Sequence, residues 1–162
     1  LQELIRVMAN ITAILRTPIQ GKQGGGFDHI PEPEYGTRLG EQLGIIAKAH
    51  ALLDGESQVD KPDIELASRV AMDAVNRIRT QIVSALLSGE NKQAEIIRFR
   101  NLPKKSVQRS LDELQALGVI FYPEDRVISL TPDVAESLDV SGLGVKMMKA
   151  FPRIEYLVGS KG

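Results

Sequence analysis

Residues Asn101–Leu130 read NLPKKSVQRSLDELQALGVIFYPEDRVISL. The first half predicts a helix. Pro103 suits a first helical turn, where a missing N–H costs nothing. Val107, Leu111 and Leu114 recur at i, i+4 and i+7, one buried stripe that Leu117 extends. Lys104, Lys105, Ser106, Gln108, Arg109 and Asp112 fall off that stripe and face solvent or a partner. Gly118 stands where a left-handed C-cap would end the helix. Val119–Tyr122 and Val127–Leu130 are two short β runs. The polar turn Pro123–Arg126 between them makes a hairpin.

Upstream, Arg79–Leu87 places Ile82, Val83, Leu86 and Leu87 on one helical face. Ser88–Asn91 reads as a turn. Gln93–Phe99 reads as a short helix with Ala94, Ile97 and Ile96 as its inward candidates. Helix, turn, helix, turn, helix, hairpin is the order of the winged helix-turn-helix. From about Arg77 to Leu138 the chain resembles that family. The likeness rests on Pro103, Ser106-Val107, Arg109, Leu111, Leu114 and the corner Leu117-Gly118-Val119-Ile120 directly before the hairpin. The resemblance implies a DNA-binding module. Lys104 and Lys105 would then contact phosphates, and Ser106, Gln108 and Arg109 would approach base edges. Arg126, at the tip of the hairpin, would touch the minor groove or the backbone.

Charge agrees with that placement. Between Asn91 and Arg109 the charged residues are Lys92, Arg98, Arg100, Lys104, Lys105 and Arg109 against Glu95 alone. The bias falls on the second and third helices, the pair that docks DNA in a helix-turn-helix. A solvated face is the bland reading of such a run, and a winged helix can bind protein instead.

The chain has 162 residues, enough for one large or two small domains, and its hydrophobic fraction of 43% is ordinary for a globular protein. It has no cysteine, which excludes disulfides, Cys-ligated zinc and a thiol nucleophile. Its two histidines, His29 and His50, sit in different segments, which argues against a His-rich metal site. No apolar run approaches the ~20 residues of a membrane span, and no signal peptide is expected. A cytoplasmic protein without a membrane partner is expected. The first residue is Leu1, inside an amphipathic pattern, so a piece of a longer protein is expected.

Leu1–Arg16 reads as a helix with Leu4, Met8, Ile11 and Leu15 in one stripe, ended by Thr17-Pro18. The loop 18–35 holds Gly24-Gly25-Gly26 and Pro31-Glu32-Pro33, a connection soft at the glycines and stiff at the prolines. It is not a phosphate loop, because Lys22 precedes the glycines and Gln23 follows it where Ser or Thr belongs. Thr37–Leu53 predicts a strong helix whose face carries Leu39, Leu43, Ile46, Ala47, His50 and Leu53. Gly40, Gly44, Ala47 and Ala51 form a small-residue row that lets another helix approach. His50 reads as a core histidine with a satisfied hydrogen bond. Asp60 predicts an N-cap, with Pro62 in the first turn and Asp63 at N3. From Pro62 to Leu87 one helix or two are open, with a break favoured between Val75 and Arg77.

Residues 36–74 carry a second resemblance. Gly36-Thr37-Arg38-Leu39, Ala47–Gly55 and Val59–Ala67 look like the helical lid of AAA+ ATPases of helicase or MoxR-like type. In that family an arginine opening the first of these helices reaches the nucleotide phosphate, and Arg38 matches that position. No Walker A or paired-acid strand is present, so no cofactor site and no enzyme activity are expected here. The ATPase core would be a partner elsewhere in the parent chain.

Thr131 and Pro132 predict the start of a last short helix to Leu138, and Asp139–Gly144 a loop. Residues 145–158, with Met147, Met148 and Phe151, stay open between helix, strand and interaction segment.

The expected fold class is mainly α. A helical, lid-like domain spans 1–75, a winged-helix domain with a small hairpin spans 76–140, and a tail spans 141–162. The expected function is DNA binding as the C-terminal module of a longer AAA+-like replication or helicase ATPase. The alternative is a protein-interaction module, a homo-oligomer built on the small-residue row and the Met147-Met148-Phe151 tail.

Overall fold

A computed structural model describes residues 1–21, 26–30, 32 and 36–154. In it the chain is mainly helical, with two short antiparallel ribbons. Helix α1 (Gln2–Arg16) buries Met8, Ile11 and Leu15 along the predicted stripe. It ends at Thr17, whose hydroxyl donates to the Ala13 carbonyl at 2.7 Å. Strands β1 (Gln20–Gly21) and β2 (Phe27–His29) then pair antiparallel, Gln20 opposite His29, where the sequence predicts an unpaired connection. Gly24, Gly25, Pro31 and Pro33 lie outside the described residues.

Helix α2 (Thr37–Leu53) crosses α1 through glycines. A Cβ on Gly36 would lie 2.6 Å from the Asn10 backbone nitrogen, and one on Gly40 would touch the Ala9 Cβ at 3.5 Å. The front of the small-residue row therefore serves a contact inside the chain. Leu39, Leu43, Ala47 and Ala51 are buried, but Leu53 is 86% exposed, against expectation. The buried row repeats every four residues. Leu53, two residues past Ala51, sits ~200° further round the helix.

Helix α3 (Lys61–Asp73) starts with a capping box between Asp60 and Asp63. It stops before Asn76, whose side-chain oxygen accepts from the amides of Ile78 and Arg79 at 2.9 and 3.4 Å. That cap makes α4 (Arg77–Leu87) a separate helix. In α5 (Gln93–Arg100) Ile96 is fully buried while Ala94 is exposed, the reverse of Ala94 packing inward. Asn101 then turns the chain with φ 51° into α6 (Lys104–Ala116). Val107, Leu111 and Leu114 are fully buried, and Gly118 takes φ 70°. The hairpin follows as β3 (Ile120–Glu124) and β4 (Val127–Leu130). Pro123 and Glu124 belong to β3, so the turn narrows to Asp125 and Arg126, with Arg126 at φ 61°.

Helix α7 (Pro132–Val140) runs beyond Leu138, and α8 (Leu143–Ala150) begins where a loop is expected. Leu143 and Met147 are fully buried, and α8 packs on α4 and α7. Met147 is thus core and not an adhesive surface. Residues 155–162 of the expected tail lie outside the described residues. One buried apolar cluster takes Met8, Leu15 and Leu43 from the first half and Ile82, Leu111, Ile128 and Leu138 from the second. Among the described residues, no helix is long and apolar enough to cross a membrane.

Candidate nucleic-acid interface

The outward side of α6 is polar because its inward side holds the whole stripe. Lys104, Lys105, Gln108 and Arg109 are exposed, and Ser106 is half-buried. Lys104 and Gln108 form the crest of a ridge between two clefts. One cleft, of about 1050 Å³, separates α6 from the β1–β2 ribbon, with Gly21, Gly26 and Phe27 opposite Lys105 and Arg109. The other, of about 910 Å³, lies between α5, α6 and the β3–β4 hairpin, and carries Lys92, Tyr122 and Arg126. Burial, with a smaller contribution from Asp112, pushes the Tyr122 phenol above its ordinary range.

The same face carries acids that the local sequence count does not include. Asp112 lines the first cleft, and Glu124 and Asp125 line the second. Gln108 donates to Asp112 at 3.0 Å, and Arg126 lies 3.6 Å from Asp125 on a fully solvated tip. The cationic excess on this face is therefore smaller than the run from Asn91 to Arg109 suggests. Arg98 is exposed, with its guanidinium 5.5 Å from the centre of the Phe99 ring.

Arg100 does not join this surface. It is 4% exposed and binds the Glu90 carboxylate through Nε at 2.9 Å and Nη2 at 3.1 Å. Its Nη1 donates to Ser84 Oγ at 3.3 Å and to the Phe151 carbonyl. Arg100 is a clamp that holds the chain after α8 against α4, not a phosphate contact. Its place in a basic run concealed this; the only signal was Glu90 ten residues upstream in a turn.

Arg79 was likewise not singled out by the sequence. It is buried where α1, α4 and α6 meet, and its Nη1 donates to the Leu15 and Thr17 carbonyls at 2.9 and 2.7 Å. These are carbonyls at the end of α1, which lack partners within the helix. Its Nη2 and Nε donate to Glu113 Oε2 at 2.8 and 3.2 Å. Arg109 Nε donates to the other oxygen of Glu113 at 2.9 Å.

Away from this face, Arg38 is exposed at the second position of α2. His50 is half-buried, and its Nδ1 lies 2.6 Å from Asp63 Oδ1 and 3.5 Å from Asp54. The satisfied hydrogen bond agrees with the sequence reading, but the ring is partly exposed and does not belong to the core. The bond to Asp63 raises the His50 pKa above its ordinary value. The Asp60 amide, donating to Asp63 Oδ2 at 2.7 Å, is the main cause holding the Asp63 carboxyl below its own. Ligand atoms of His50, Asp54 and Asp63, and of Glu56, Asp60 and Asp63, lie within 4.8 Å of one another. Both Asp63 oxygens are already engaged, so the pair reads as a tie between α2 and the start of α3.

No protein-family model, no curated protein and no solved structure matches this chain.

Proposed function

We propose that this chain binds duplex DNA as a winged helix, with α6 as the recognition helix and the β3–β4 hairpin as the wing. The observation that carries the reading is the division of α6. Val107, Leu111 and Leu114 are fully buried, while Lys104, Lys105, Gln108 and Arg109 stand exposed on its first two turns, Lys104 and Gln108 toward the hairpin and Lys105 and Arg109 toward the β1–β2 ribbon. A helix held from behind with cations and amides in front suits entry into the major groove. Lys104, Lys105, Lys92 and Arg126 serve the backbone, and Gln108 and Arg109 serve base edges. Arg38, exposed at the start of α2, is available to a nucleotide on an ATPase core, in keeping with a lid-like segment of a longer AAA+-like protein.

Fluorescence anisotropy on duplex and single-stranded oligonucleotides across a salt series tests this. Affinity falls steeply with salt as condensed counterions are released. Lys104→Ala and Lys105→Ala each flatten the salt slope by about one unit and weaken all sequences alike. Absence of duplex binding at low salt ends the DNA reading.

A second reading rests on α2. Ile45, Leu52 and Leu53 are 65%, 74% and 86% exposed, an apolar row of the kind that covers a protein partner. A concentration-dependent mass in light scattering, together with no DNA binding, would favour it.

A further inference from the structure

The arginine expected to read a base is held by a carboxylate that has its own counter-ion. Glu113 lies one turn after Arg109 on α6 and is 8% exposed. Its oxygens are divided: Oε2 takes two N–H groups of Arg79, and Oε1 takes Arg109 Nε. Arg79 is fixed in turn at its far nitrogen by the Leu15 and Thr17 carbonyls. The orientation of Glu113 is therefore set by α1 and α4, not by the flexible side chain beside it.

The two arginines stand in unlike positions. Arg79 is buried and uses all three nitrogens. Arg109 has a side chain 70% exposed and uses Nε alone; its terminal amino groups have no partner among the described residues. Because Arg79 compensates the buried carboxylate, Arg109 is not needed for charge balance there. An exposed i, i+4 ion pair contributes little to stability by itself. What the contact does is restrict a long side chain at the cleft beside α6 through its Nε, leaving the two terminal nitrogens for another partner.

We propose that Glu113 is a positioning residue for base recognition. Backed by Arg79, it grips Arg109 at Nε so that the two terminal amino groups meet the paired acceptors of a guanine edge in the major groove. This rests on the DNA reading above. The guanine O6 and N7 acceptors match an end-on guanidinium, and a side chain ordered before binding loses less freedom on contact.

The test is selection from a random duplex pool by the full 162-residue chain, followed by affinities on single-position variants of the selected site. The wild type selects a guanine at one position, and Arg109→Ala loses that preference. Glu113→Gln keeps an acceptor for Arg79 but lacks the charge that grips Arg109. It loses about two- to tenfold of the discrimination at that same position, and it has no effect in the Arg109→Ala background. A merely structural Glu113 would weaken all sequences alike in both backgrounds, and that result overturns the proposal. Should Glu113→Gln fail to fold, the side-chain Nε–Hε signal of Arg109 in the wild type decides. A signal shifted and protected from exchange supports the grip, and one at the free-arginine position overturns it. A wild type that binds with no guanine preference overturns the positioning role alone, whereas one that binds no duplex removes the DNA reading and this role with it.

Discussion

His50 and Asp63 tie the last turn of α2 to the first turn of α3 with one short hydrogen bond. The bond favours charged His50, whose pKa is raised. Its contribution is complete below the ordinary histidine value and is lost as pH rises through the higher folded one. Asp63, with a lowered pKa, contributes above the ordinary aspartate value and loses this as pH falls through its folded one. The wild type should therefore lose melting temperature relative to His50→Gln as pH climbs from roughly 6 to 8. Parallel melting curves for the two proteins over that range would refute the tie. Arg100 and Glu90 make a different prediction. Both are buried, so Arg100→Ala leaves a carboxylate uncompensated and should cost about 3–5 kcal/mol in urea unfolding. Lys104→Ala, on the exposed crest, should change stability by less than about 0.5 kcal/mol. A mild effect of Arg100→Ala would mean that Arg100 is not a core clamp.

Among the elements, α2 offers a paired test on glycines. Gly36 lies so close to α1 that a Cβ would press on the Asn10 amide nitrogen and the Ala9 carbonyl carbon, at 2.6 and 2.8 Å. Backbone cannot retreat as a flexible side chain can, so Gly36→Ala should destabilise by about 1–3 kcal/mol. Gly44 sits inside the same helix with nothing within 4 Å of its would-be Cβ. Gly44→Ala should stabilise by about 0.5–1 kcal/mol through helix propensity alone. Thermal melts of the two variants check the sign of each. If both destabilise alike, α1 and α2 do not cross as described. Element positions were largely legible from capping residues. Asp60, Asn76 and Gly118 each mark an end in the primary structure, because a cap works through neighbours in sequence; Thr131 stands at the start of α7 without a side-chain cap bond, its hydroxyl donating instead to the Gly118 carbonyl at 2.9 Å. The β1–β2 ribbon and α8 were not legible. A pairing of two or three residues leaves no periodic pattern, and Pro152, beyond the end of α8, split the longer apolar segment 145–158 in which the second half of that helix was read.

For the whole molecule, one apolar cluster joins α1 and α2 to α4, α6 and α7, and buried Arg79 ties α1 to α6 at the same junction. Unfolding by urea should therefore follow one transition, with circular dichroism and tyrosine fluorescence coincident. Separate transitions would instead support two domains divided near residue 75.

The local pattern was sufficient for the long helices, their caps, the buried stripe of α6 and the hairpin after it. Each of these depends on residues within a few positions of one another. The fate of individual charges was decided elsewhere. Arg98 and Arg100 lie two residues apart in one basic run, yet one faces solvent and the other closes on Glu90 inside the protein. Arg79 and Arg109, thirty positions apart in sequence, share the two oxygens of Glu113. Burial of a charge depends on which distant carbonyls and carboxylates the packed helices bring within hydrogen-bond reach, and only the tertiary structure determines that.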